Sequence, residues 1–85
     1  MSHGMHTQAE IVQRAIAAFR SEANASQIAE LEDEQLAAGS SGLEWYGRTA
    51  GVFERFLASH SVSHETRGAL EQAIHAVRVI FGRAT

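Results

Sequence analysis

Apolar positions along this chain fall into four phased groups, and the phase jumps once in each half. Thr7-Gln-Ala-Glu10 has the form of a capping box, in which the Thr hydroxyl serves an amide three residues on while the Glu reaches back. Ala9, Val12, Ile16, Phe19 and Ala23 follow at alternating spacings of three and four. At the helical rotation they fall within about 80° of arc, so the spacing predicts an amphipathic helix. The next apolar residues, Ile28, Leu31 and Leu36, would lie roughly 150° around from that stripe if one straight helix continued. Asn24-Ala25-Ser26 sits at the change of phase, and Ser26 with Glu30 offers a restart. A break near residue 24 is therefore expected, with a second helix over Gln27–Ala38 ended by Gly39.

The stretch Gly39–Gly51 separates the two halves and holds four of the seven glycines, the one Trp and the one Tyr. Gly39-Ser-Ser-Gly42 reads as a turn, because Gly accepts the left-handed conformation after a helix end and Ser caps the next start. Ser41-Gly-Leu-Glu44 repeats the capping-box pattern. Leu43, Tyr46, Ala50, Phe53 and Leu57 then share one face, flanked by Trp45 and Phe56. Ser59-His60-Ser61-Val62-Ser63 interrupts that helix, since Ser competes for backbone hydrogen bonds and prefers caps to helix interiors. Ser63 can cap a last helix lined by Leu70, Ala73, Ile74, Val77 and Phe81, with Gly82 as its stop. The expected fold is all-α, an antiparallel bundle completed by dimerisation. Four short amphipathic helices fit the periodicity, whereas two long kinked helices in a hairpin fit the central turn. Residues 7–85 make a single helical domain, and residues 1–6 read as a disordered or cloning-derived leader.

Trp45-Tyr46-Gly47-Arg48-Thr49-Ala50-Gly51-Val52-Phe53 resembles the signature of the small WxG-motif proteins handled by type VII secretion. The resemblance implies that Trp45 and Gly47 form a turn joining two long antiparallel helices. Ala50 and Phe53 would be the small and aromatic residues that follow on the second helix. It further implies side-by-side dimerisation into a four-helix bundle.

Size and composition narrow the function classes. At 85 residues the chain buries only roughly 60% of its unfolded surface, and small domains of this kind often gain core by associating. There is no cysteine, which excludes disulfides, Cys-based zinc sites and a thiol nucleophile. No apolar run approaches the roughly 20 residues of a membrane span, and Met1–His6 is too short and polar for a signal peptide. The expected compartment is the cytoplasm, or the outside by a route without a cleaved signal. The formal net charge is −3, with seven Arg, no Lys and no basic patch, which argues against nucleic acid as a partner. Residues 1–42 carry two Arg against six acids and residues 43–85 five against four, so the acidic half is expected to meet the Arg-bearing half, within one chain or between two.

Candidate chemistry is sparse. His60 and His64 are four apart, and on a continuous helix could share a metal with His75 and Glu71 nearby. No Glu-x-x-His of the bundle-type di-iron site occurs, and the serines around His60 oppose a continuous helix. His3 could hold copper or nickel together with the terminal amine. The acidic run Glu30, Glu32, Asp33, Glu34 is either a solvated helix face or a surface that meets an Arg-rich partner, with Arg48, Arg55 and Arg67 the candidates if that partner is a second copy. No Ser/His/Asp order reads as a triad, and the glycine turn lacks the Lys and spacing of a phosphate loop. The sequence thus points to a non-enzymatic interaction module without cofactor, forming a homodimer or binding a helical protein partner. Leu43, Trp45, Tyr46, Phe53, Leu57, Ile74 and Phe81 are the expected core or interface, and Gly39, Gly42 and Gly47 the turn. The alternatives are a small-molecule or metal-binding bundle built on the histidines, and a helical regulator or chaperone ordered by its partner.

Overall fold

A computed structural model describes residues 7–84, with the backbone alone for residues 83 and 84. The expected leader and the His3 site lie outside the described residues. Four helices follow one another: α1 (Gln8–Glu22), α2 (Ala25–Ala37), α3 (Gly42–Ser59) and α4 (His64–Ala84). Both phase jumps are therefore real chain breaks, and four helices, not two kinked ones, account for the pattern.

Capping explains each start. Thr7 Oγ1 accepts from the Glu10 amide at 3.1 Å while the Thr7 amide donates to the Glu10 carboxylate at 3.0 Å, the box the sequence predicts. At α2 the cap is Asn24, not Ser26, and the helix begins two residues earlier than expected. Asn24 Oδ1 accepts from the Gln27 amide at 2.9 Å and Gln27 Oε1 accepts from the Asn24 amide at 2.8 Å. Asn caps at least as well as Ser, and Gln27 closes the reciprocal half that Ser26 would forgo. Ser41 caps α3 through the Glu44 amide at 3.2 Å, but only half of that box forms, because the Glu44 carboxylate turns to Arg48 Nε at 2.8 Å. Ser63 caps α4, accepting from the Thr66 amide at 3.2 Å.

The glycines divide. Gly39 has φ +61° just beyond α2, the left-handed helix end expected of it. Gly42 is instead the first residue of α3, and Gly47 lies inside α3, so neither forms a turn; the Trp45–Gly47 segment is helical. Gly82 does not stop α4, which runs on to Ala84.

α1 packs chiefly on α4, α4 also on α3, and α3 on α2. The radius of gyration is 12.7 Å, close to the roughly 12 Å expected of a compact chain of this length. Phe19 of α1 sits at the centre, its ring 5.7 Å from Phe53 and 4.8 Å from Phe56 of α3. Val12, Ala15, Leu31, Ala50, Val52, Leu70, Ala73, Ile74 and Val77 complete the buried cluster. Ala15 thus takes the buried place in α1, while Ala9 at the head of the predicted stripe is exposed. On α3 the buried residues are Thr49, Ala50, Val52, Phe53 and Phe56, an arc of about 160° rotated away from Leu43. That breadth follows from α3 packing on two neighbours. Thr49 is buried without penalty because Gln35 Nε2 donates to its hydroxyl at 3.2 Å.

Candidate association surface

The seven residues expected at a core or interface separate into two groups. Phe53 and Ile74 lie in the interior of the single chain, at 0% and 8% exposure. Trp45, Tyr46, Leu57 and Phe81 are half-buried around the cluster, and Leu43 is exposed. Leu36, expected on the buried stripe of α2, is 78% exposed. α2 accordingly gives little apolar surface to the core, Leu31 being its one buried residue.

Two shallow grooves flank the first turns of α3. On one side Leu36 and Trp45 line a depression of about 440 Å³ with Glu32, Gln35 and Gly39. Leu43 lies about 200° around α3 from Trp45. It lines the other groove, about 520 Å³, with Gly47, Gly51 and Phe81. Gly47 lets the ring approach closely: a Cβ at that position would lie 2.7 Å from Phe81 Cζ, so a larger residue there would have to displace the Phe81 ring. Trp45 and Tyr46 meet edge to face at 5.3 Å. The corner where α2 turns into α3 thus leaves apolar side chains incompletely covered among charged ones, Glu34, Glu44, Arg48 and Arg55 lining the second groove.

Ion pairs surround that corner and run along the α2–α3 seam. Glu34 accepts from Arg48 at 3.0 Å and Glu30 from Arg55 at 3.1 Å. Two members of the acidic run therefore pair with Arg48 and Arg55 of their own chain, whereas the sequence offers those arginines as the contribution of a second copy. Arg67 departs from that expectation and lies 3.7 Å from Glu71 on its own helix. Glu32 pairs with Arg20 of α1 at 3.1 Å. Hydrogen bonds to Glu44 and then Glu34 hold the Arg48 guanidinium pKa above its ordinary value. At the junction of α1 and α4, Glu22 accepts from the Ser63 hydroxyl at 2.6 Å and the Ser63 amide at 3.1 Å. Those bonds, led by the Ser63 side chain and then Thr66, lower the Glu22 pKa.

The histidines do not converge. His60 caps the end of α3 and stacks on Phe56 at 4.9 Å, whereas His64 opens α4. Among the described residues no three His, Cys, Asp or Glu side chains group as metal ligands would. No helix of the described residues is long and apolar enough to cross a membrane. No protein-family model, curated protein or solved structure matches the chain.

Proposed function

We propose that the chain is a non-enzymatic protein–protein interaction module that pairs with a second copy of itself through the start of α3 and the end of α2. The observation that carries this reading is Leu36, 78% exposed beside the half-buried Trp45 in one groove, with exposed Leu43 beside Phe81 in the other. Aromatic residues at a partly covered apolar patch are typical anchors of an interface, and a domain this small gains stability by burying them. Its helices pack antiparallel. The reversed order of the seam supports that direction, since Gln27, Glu30 and Glu34 of α2 meet His60, Arg55 and Arg48 in turn. A secretion-associated role, with the chain cytoplasmic or exported without a cleaved signal peptide, rests on the WxG-like sequence alone, since Trp45–Gly47 lies within α3 and makes no turn. The test is the double variant Leu36→Asp, Leu43→Asp, whose exposed positions leave folding within about 0.5 kcal/mol of the parent. Unchanged helical circular dichroism with half the solution mass is the expected result. A variant that keeps the parent's mass would place the contact elsewhere or abolish the reading.

A further inference from the structure

Four hydrogen bonds run in series from the start of α2 to the end of α3, and both ends of the series are backbone groups of fixed polarity. The Asn24 amide donates to Gln27 Oε1 at 2.8 Å, and Gln27 Nε2 lies 2.6 Å from His60 Nε2. Ser59 Oγ is 3.0 Å from His60 Nδ1 and donates to the Arg55 carbonyl at 2.7 Å. A backbone amide only donates and a carbonyl only accepts. The first bond turns the Gln27 oxygen toward Asn24 and its NH2 toward the ring, so His60 Nε2 must accept. The last bond uses the Ser59 proton, so Ser59 Oγ must accept from His60 Nδ1–H. Only the neutral imidazole protonated at Nδ1 satisfies the whole series.

We propose that His60 is a proton-operated latch between α2 and α3, closed when the ring is neutral and opened when Nε2 gains a proton. A protonated Nε2 has no lone pair and confronts the Gln27 NH2 with a second donor. Turning the Gln27 amide over would restore that contact but set NH2 against the Asn24 amide, breaking the reciprocal cap of α2. One bond is lost either way. The ring cannot simply rotate clear without also giving up its stacking on Phe56, at 4.9 Å and 19°. His60 closes one end of a recess of about 140 Å³ whose charged lining is Glu30 of α2 and Arg55 of α3, with Phe19 the contribution of α1. Glu30 and Arg55 pair with each other at 3.1 Å, so the carboxylate is already engaged when the imidazolium forms. The latch matters because α2 buries only Leu31 fully, with Ile28 packed beside the core, so the polar contacts to α3 form much of its remaining attachment.

Nuclear magnetic resonance of the full chain tests the latch, whatever its oligomeric state. At about pH 8 the nitrogen-15 ring shifts are expected to show the His60 proton on Nδ1. On acidification the Asn24 backbone amide and Gln27 side-chain amide should move together with the His60 ring signals as the ring gains its proton. In His60→Phe, which keeps a ring on Phe56, the Asn24 amide should lose that movement. It should also lose it in Gln27→Glu, whose carboxylate can accept from Asn24 and from an imidazolium together. A proton on Nε2 at pH 8, an Asn24 amide that ignores the His60 titration, or the same movement in either variant would overturn the proposal.

Discussion

Gly39 and Gly68 are the same residue type under opposite demands. Gly39 holds φ +61°, where an L side chain costs about 1–2 kcal/mol. Gly68 lies inside α4 with open space where its Cβ would be, and there glycine costs about 0.5–1 kcal/mol relative to alanine. Urea titration should therefore find Gly39→Ala less stable than the parent by about 1 kcal/mol and Gly68→Ala more stable by about 0.5–1 kcal/mol. Equal and opposite signs at two exposed glycines would be hard to obtain from any cause other than backbone conformation. The same contrast limits what a sequence discloses. Gly39 was legible as a helix end because an acidic, apolar-patterned helix stops there. Gly42 and Gly47 were not legible as helical, since glycine permits both states and the reason for Gly47, the Phe81 ring against it, lies thirty-four positions away.

At the level of elements, the clearest prediction concerns the meeting of α1 and α4. Glu22 binds Ser63 as a carboxylate, and its folded pKa lies below the ordinary value. A depressed pKa contributes stability that is present above the unfolded value of about 4.3 and is lost as pH falls through the folded value. The parent should thus lose stability more steeply than Glu22→Gln as pH drops below about 4.3, while the two keep parallel profiles at neutral pH. Parallel profiles throughout would remove Glu22 from the acid response. Helix starts and stops were largely readable because caps are local: Thr7, Ser41 and Ser63 act within three residues of themselves. α2 was the least readable element. Its cap competed between Asn24 and Ser26, and its apolar Leu36 projects to solvent because α2 packs on α3 alone among the main contacts. Periodicity fixes which residues share a face, and the number of neighbouring helices decides how much of that face is covered. The Gln27–His60 contact spans thirty-three positions and leaves no local signal at all.

For the whole molecule, one core is shared by all four helices and centred on Phe19, Phe53 and Phe56. Phe53→Ala removes a fully buried ring there and should cost about 3–5 kcal/mol, a large share of the stability of so small a domain; thermal unfolding that leaves the midpoint unchanged would contradict this core. The charge asymmetry between the halves is used inside the chain, along the α2–α3 seam, through pairs that are each partly exposed and individually weak. The large apolar side chains left outward are Leu36 and Leu43, beside the edges of Trp45 and Phe81. The measurement that tests the account most directly is the solution mass by light scattering across a concentration range, with far-ultraviolet circular dichroism on the same sample. A strongly helical dimer that dissociates on dilution is the predicted result. A helical monomer at every concentration would contradict self-association and leave the α2–α3 corner without its proposed partner.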